Sequence, residues 1–377
     1  MLRVLHCIYD DPDNPWVGGG GAMRVREIYS RLGDAVNATV ATGSFPGATN
    51  VTQNGVRYLR LGARRPYPWS RLTYGAAATR LLARGQFDVG LFDYSVYTPI
   101  RLPRTGPVGL VVHMLHGPTA GGRWGGIGAA LLTRAERAGL RSARWISTTS
   151  QWMVGELAPL VAPGTRIVPV GSGISPEFAN VHRAEGDYLL YYGRLDLYQK
   201  GLDVLLDAFQ RIAAGQPALR LVIAGRGKDA ERVRDMVVRR GVGGAVDLRV
   251  GASREEVLSL MTGALALVMP SRLEGLPMVP AEAMAAGVPV IASAVGALAE
   301  VVNAPECGLL VPPGDREALE QAIHRLVVDP PLRQSMSEAA RRSAERYSWD
   351  RVAASHLEFL KSIRDGEFSP QLEPRSA

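Results

Sequence analysis

At 377 residues, 46% hydrophobic and 21% charged, the chain is long enough for two domains with separate cores and too apolar for a disordered protein. No stretch reaches the roughly 18 apolar residues of a membrane-spanning helix, the apolar start at Met1–Leu5 runs straight into Asp10-Asp11 and so predicts no signal peptide, and two cysteines, Cys7 and Cys307, exclude a disulfide framework and point to a reduced cytoplasm. Residues 1–172 carry 19 Arg, no Lys and 9 acidic groups, a balance of +10 against −3 for residues 173–377; the first half suits an anionic partner (a phosphorylated acceptor, an acidic glycan or a lipid surface) unless its arginines serve solubility alone.

Short β-branched runs alternate with segments of helical period, the pattern of parallel sheets with crossover helices. Strands are expected at 3–9, 37–41, 56–61, 88–92, 108–113, 144–148 and 166–170, with helices at 22–33, 70–84 and 127–140. "GSGISPEF", 171–178, has the glycines, serines and proline of a linker. The alternation then restarts, with strands at 187–192, 219–224, 246–250, 264–268, 288–292 and 308–311. Its helices fall at 202–214, 228–240, 253–262, 279–286, 315–328 and 331–346, and a last one at 349–363 precedes a loose tail, 364–377. The reading is α/β: two Rossmann-like, doubly wound parallel-sheet domains, 1–172 and 173–348, facing across a cleft, with helix 349–363 returning to the first. Ligands are expected at the carboxyl ends of the strands.

"SRLEGLPMVPAEAMAAGVPV", 271–290, sets Glu274 and Glu282 in an apolar, Pro-rich stretch, where a carboxylate needs a partner. Pro280 suits a first helical turn, and Gly287 with Pro289 suits a stop, so Glu282 falls near the helix start and Glu274 in the loop before it. Amides of Gly275, Leu276, Met278 and Val279 can point at an anion there, and sugar hydroxyls donate hydrogen bonds to carboxylates. A first-turn glutamate balancing the helix dipole is the plainer account of Glu282. In "YLLYYGRLDLYQKGLDVLLDAF", 188–209, a strand ends at Gly193 and Arg194 and Lys200 flank the following loop. Two cations beside a βα turn suit a diphosphate, although singly each would pass for a solvated charge.

The spacing Gly193-Arg194-x5-Lys200-Gly201, with Glu274-x7-Glu282, resembles the family-4 retaining glycosyltransferases of the GT-B fold. The likeness runs from the glycine-rich loop after the first strand to "YSWDRVA" and is most specific over 187–311. It implies that Arg194 and Lys200 hold the donor diphosphate, that Glu274 contacts hydroxyls of the transferred sugar, and that Glu282 binds the ribose. In "VIAGRGKDA", 222–230, Gly225 and Gly227 permit close backbone approach, and Val250, Gly251 and Ala252 would frame the base; UDP is favoured over GDP.

"PWVGGGGAMRVREIYSRL", 15–32, lets amides approach phosphate or sugar oxygens, and Gly19 and Gly20 match the family's glycine pair beside the donor. A dinucleotide fingerprint fits poorly, because Met23 and Arg24 stand where a third glycine belongs. In "VVHMLHGPTAGGRWGGIG", 111–128, the family's sugar-facing histidine is better matched by His116 than by His113, and both stay open. Trp16, Arg24, Tyr94, Arg123 and Trp124 join the two histidines as acceptor-side candidates. In 64–85, Arg64, Arg65, Arg71, Arg80 and Arg84 accompany Tyr67, Trp69 and Tyr74, as on a helix lying on anionic lipid or on an ordinary amphipathic helix.

The resemblance thus implies transfer of a sugar, with retention, from a nucleoside-diphosphate sugar to a hydroxyl acceptor, by front-face attack and electrostatic stabilisation of the leaving diphosphate. No resident cofactor, metal or nucleic acid is expected, and "DDPD", 10–13, is read as a turn. Rival readings are a GT-B-like epimerase or phosphorylase, a non-catalytic nucleotide-sugar-binding subunit and, more remotely, a dehydrogenase. The expected location is the cytoplasm, peripheral to the inner face of the membrane.

Overall fold

The computed structural model describes residues 1–17, 19–95, 102, 106–115, 121–184, 186–275 and 277–367, and for 121–125 the backbone alone. In chain order the first elements are β1 (Leu2–Cys7), α1 (Gly20–Leu32), β2 (Val36–Gly43), β3 (Val51–Gln53), β4 (Val56–Leu61), α2 (Tyr67–Ala83), β5 (Val89–Asp93), β6 (Val108–Val112), α3 (Gly121–Arg141), β7 (Trp145–Thr148), α4 (Gln151–Leu157) and β8 (Arg166–Pro169). There follow α5 (Pro176–Ala179), β9 (Tyr188–Tyr192), α6 (Leu202–Gly215), β10 (Arg220–Gly225), α7 (Ala230–Arg239), β11 (Val246–Val250), α8 (Arg254–Gly263) and β12 (Ala264–Met269). The chain ends through α9 (Met278–Ala285), β13 (Val290–Ser293), α10 (Leu298–Val302), β14 (Gly308–Val311), α11 (Arg316–Val328), α12 (Pro330–Ala344) and α13 (Trp349–Asp365).

Two compact units result, Met1–Ser172 with the chain from Trp349 onward, and Gly173–Ser348. The first holds an eight-stranded sheet in the order β3-β4-β2-β1-β5-β6-β7-β8, parallel except where β3 meets β4. Alternate residues of each strand feed two layers. Val4, Val40 and Leu91 pack with Val25, Ile28, Phe359 and Leu360 of α1 and α13, while Leu5, Ala41 and Phe92 pack with Tyr74, Leu82, Leu140 and Leu157 of α2, α3 and α4. Each fully buried Leu or Phe contributes roughly 1.5–3 kcal/mol, which is how α13 is held in the first unit.

The second unit holds a six-stranded sheet, β11-β10-β9-β12-β13-β14, parallel throughout. Leu189, Tyr191, Leu221 and Ile223 face α6, α7 and α11; Leu190, Val222 and Leu267 face α8, α9 and α10. In each sheet the order reverses beside the unit's first strand, between β1 and β5 and between β9 and β12. Loops leaving the carboxyl ends of such a pair diverge and open a crevice, the usual ligand position in this architecture. Among the described residues no helix is long and apolar enough to cross a membrane.

Four short elements depart from the sequence reading. β3 pairs with β4 through a tight turn whose Asn54 and Gly55 both have positive φ, a hairpin signal legible in "NG". α4 is capped by Ser150, whose side chain accepts from the Met153 amide at 3.2 Å. α5 and α10 are too short to show a period. The linker reading of 171–178 is corrected at its second half: Phe178 is fully buried, and Ile174 bridges Ser348 within the second unit. α13 continues through Arg364 and Asp365, two residues into the expected tail, whose residues 368–377 lie outside the description.

Candidate active site

The loop after β9 and the loop after β12 meet at the second unit's switch point. Gly201, at the start of α6, has φ +64°, and a Cβ there would stand 1.9 Å from the Pro270 carbonyl oxygen, so only glycine lets the loops close. The Arg272 amide donates to the Gln199 carbonyl at 2.9 Å, and the Arg272 guanidinium forks onto Asp203 at 2.7 and 2.8 Å. That closure carries Lys200 to Glu274. Nζ donates to Oε1 at 2.5 Å, Ser271 Oγ donates to the same oxygen at 2.7 Å, and the two charged side chains are 9% and 7% exposed. Arg194 stays exposed on the rim, its Nη2 donating to Gln199 Oε1 at 3.4 Å.

Gly193, Arg194, Lys200, Glu274, Gly275, Met278 and Val279 therefore lie on two converging loops and the start of α9; Leu276 lies outside the described residues. Glu282 lies near the start of α9, but not in its first turn as the plainer account requires. α9 begins at Met278 with no acidic residue in its first turn, so Glu282 is in the second turn and does not balance the dipole. Its carboxyl is pushed up to about 7 by burial, with Arg254 opposing and Glu177 reinforcing. Gly225 and Gly227 permit close backbone approach as expected: a Cβ on either would meet the carbonyl oxygen of Gly193 at 1.8 Å or of Leu195 at 2.3 Å. Their close approach is to the chain's own backbone, docking the loop after β10 onto the one after β9. Val250 is exposed at the end of β11.

In the first unit, Gly19 caps α1 and Gly20 begins it. A Cβ on Gly21 would stand 3.6 Å from Asp10 Oδ2 and 4.0 Å from His113 Nε2, so the glycines leave these two groups side by side. His113 Nε2 pairs with Asp93 Oδ1, and Asp93 Oδ2 pairs with His6 Nε2. His6 Nδ1 meets the Tyr29 hydroxyl at 3.0 Å, and His356 Nε2 meets it at 3.3 Å. Burial raises the Asp10 carboxyl above its ordinary range, and Asp93 adds to this against Arg71 and His113. This buried relay of His6, Asp93, Tyr29 and His356 behind His113 escaped the sequence reading. Asp93 directly precedes Tyr94, and of the two only Tyr94 is a candidate from the sequence.

Of the acceptor-side candidates, Arg24 is internal and Tyr94 is half-buried. Arg24 is 2% exposed and donates Nε to the Gly171 carbonyl at 2.9 Å, because its place on α1 faces the core. Tyr94 packs against α3, where a Cβ on Gly139 would stand 2.8 Å from its ring, and burial raises its phenol. Trp16 is exposed, with its ring 5.7 Å from that of Tyr67; beside them the Arg71 guanidinium lies over Tyr9 at 4.4 Å. His116 and the side chains of Arg123 and Trp124 lie outside the described residues. Of "DDPD", Asp11 and Asp13 both pair with Arg60, at 3.0 and 2.6 Å.

Residues 176–343 match the model of glycosyl transferases group 1, and residues 19–173 that of a glycosyl transferase 4-like domain. A glycogen synthase of Mycobacterium tuberculosis is 30% identical over 406 residues, covering 98% of this chain and 97% of its own. A D-inositol 3-phosphate glycosyltransferase of Jonesia denitrificans is 32% identical over 222 residues, 55% of this chain and 52% of its own. Of solved structures, a sucrose-phosphate synthase from Thermosynechococcus elongatus has a TM-score of 0.78 at 22% identity, covering 97% of this chain and 100% of that one. Anabaena HepE in complex with UDP and glucose has a TM-score of 0.72 at 16% identity, covering 96% and 100%. At these identities the solved structures carry the fold alone.

Proposed function

The chain belongs to the family-4-type glycosyltransferases of the GT-B fold, and from that premise we propose that it moves a hexosyl unit from a nucleoside-diphosphate sugar to a hydroxyl acceptor with retention of configuration. The observation that carries this is the meeting of Lys200 and Glu274 at the carboxyl ends of adjacent strands, with Arg194 exposed beside them. A diphosphate entering there takes Lys200 and Arg194 as counter-charges, and Glu274, released from Lys200, accepts hydrogen bonds from the sugar. Glu282 accepts those of the ribose. As the bond from the anomeric carbon to the phosphate oxygen breaks, the two cations stabilise the charge left on the diphosphate. The acceptor oxygen attacks from the same face, and a departing phosphate oxygen takes its proton. Uridine diphosphate is the favoured leaving group, supported by the UDP and UDP-glucose held by HepE.

Acceptor recognition falls to the first unit. α2 contains no acidic residue and exposes Trp69 and Leu72, while α3, on the same face of the sheet, exposes Ile127 (83%) and Leu131 (65%) ahead of Arg134 and Arg137. Such a surface suits an anionic acceptor presented at an anionic membrane from the cytoplasmic side. The relative named for D-inositol 3-phosphate supports a phosphorylated acceptor.

The test is incubation with nucleotide sugars and candidate acceptors in excess EDTA, with the anomeric configuration of the product read by proton NMR. Transfer with retention, undiminished by EDTA, is expected. An inverted product, or turnover that requires added metal, overturns the mechanism; release of an isomerised free sugar would favour the epimerase reading.

A further inference from the structure

Glu282 is 15% exposed, and among the described residues no hydrogen bond offsets its burial as Lys200 offsets that of Glu274. Among the described residues its one nearby cation is Arg254, the first residue of α8, whose Nη1 stands 3.8 Å from Oε1. That is close enough to act through charge and too far for a hydrogen bond. The same guanidinium is engaged elsewhere: its Nε donates to Glu177 Oε2 at 3.0 Å, and its plane lies over the buried Phe178 ring at 4.7 Å. Ser253 and Glu256 form a capping box that fixes the start of α8 and therefore the origin of the Arg254 side chain. One cation on α8 is thus divided between a carboxylate on α5 and a carboxylate on α9.

We propose that Arg254 is a positioning residue for Glu282, holding the ribose-binding carboxylate ionised, and that Glu177 sets how much of Arg254 reaches it. This rests on the reading of Glu282 as the ribose ligand. Among the described residues the charged and titratable groups around Glu282 are few. α8 offers Arg254, and its Glu256 is committed to the cap; α5 offers Glu177; β9 offers the Tyr192 phenol, which also feels Arg254 and Arg226. Of the other elements packed on α9, α12 places Arg341 on the Ala285 and Ala286 carbonyls at the far end of the helix, and α10 places Glu300 near Tyr347. The balance of burial against Arg254 and Glu177 leaves Glu282 titrating near neutrality.

A ribose pair of hydroxyls donates to the carboxylate and not to the acid, so binding competence follows the ionised fraction. With a midpoint near 7, that fraction and the observed affinity rise about tenfold from pH 6 to pH 8. Glu177 and Arg254 act on this in opposite directions although they form one ion pair. Losing Arg254 removes the charge that favours ionisation; losing Glu177 removes a like charge and frees Arg254 for Glu282.

The experiment is calorimetric titration of the full chain with UDP-glucose, GDP-glucose and ADP-glucose, whose diphosphate diesters do not titrate in this range, at pH 6, 7 and 8. Arg254→Gln should weaken binding at pH 7 several-fold and move the rise to higher pH. Glu177→Gln should tighten binding at pH 7 and flatten the profile. Both side chains are half-exposed at the surface, so the fold should survive, as circular dichroism will show. A merely structural ion pair would give both variants the same sign or no effect, and either result overturns the proposal. Glu282→Gln separates the two readings. If it abolishes the pH dependence while the other variants move nothing, the tuning by Arg254 is wrong; if it binds and titrates like the parent, or if the parent binds none of the three sugars, the ribose assignment is wrong.

Discussion

Lys200 and Glu274 form a buried ion pair across 74 residues of chain, Nζ to Oε1 at 2.5 Å, and it joins the two loops of the switch point. A carboxylate in the apolar stretch 271–290 is tolerable because this ammonium and the Ser271 hydroxyl meet it there.

Removing one member strands the other. Glu274→Leu and Lys200→Met should each destabilise the second unit by about 3–5 kcal/mol, and the double variant should recover most of that loss. All six tryptophans of the sequence lie in the first unit, so their fluorescence reports that unit alone. Loss should therefore appear in the urea transition followed by circular dichroism while tryptophan fluorescence holds its midpoint. Additive single losses in the double variant would show that the two charges are not coupled.

The two glutamates of the 271–290 stretch should fail differently. Glu282→Ala should weaken free UDP by about 1–3 kcal/mol, the value of one charge-assisted contact. Glu274→Gln keeps the shape and frees Lys200 for phosphate, so UDP affinity should not fall, while kcat/KM with the nucleotide sugar drops on the order of a hundredfold. Calorimetry and initial rates on both variants decide it. Binding loss confined to Glu274→Gln would mean the donor lies the other way round.

Asp93 yields a pH prediction. Burial alone would raise its carboxyl, and His113 and His6 overcome that to hold it well below the usual carboxylate range. A depressed folded-state value stabilises the fold above the unfolded value of about 3.9 and is lost as pH falls through the lower one. Asp93→Asn should thus destabilise the first unit at neutral pH by an amount that stays level down to about pH 4 and shrinks only in stronger acid. Tryptophan fluorescence in urea reads the gap. Closure between pH 7 and pH 5 would show that burial prevails over the imidazoles.

The acid-free face of α2 and α3 should bind anionic vesicles. Reversing Arg134 and Arg137 to Glu should lower partitioning onto phosphatidylglycerol-containing vesicles by about tenfold or more, at about 1 kcal/mol per arginine removed, and should weaken its salt dependence. Arg71 is left intact in this test, because its guanidinium covers Tyr9 and its loss would disturb packing. Equal sedimentation with neutral vesicles would reduce the patch to a solvated surface.

Periodicity and punctuation along the chain determined the long elements. Alternating apolar runs marked the strands, Gly287 and Pro289 stopped α9, and the restart near Tyr188 marked the second sheet, because each of these is a local preference of the backbone. The motif residues Arg194, Lys200, Glu274 and Glu282 were legible for the same reason, being spaced within two short segments. What they touch was not. Glu274 pairs with Lys200 because β9 lies beside β12, and Asp93 joins His6 to His113 because β5 lies between β1 and β6. Strand order is set by the packing of whole layers, and no local pattern carries it. The same layers turned Arg24 inward against the core, half-buried Tyr94 against α3, and left Glu282 without a hydrogen-bonding partner among the described residues. The family resemblance of these segments implied a sugar-nucleotide chemistry, and only the sheet order decided which charges face each other.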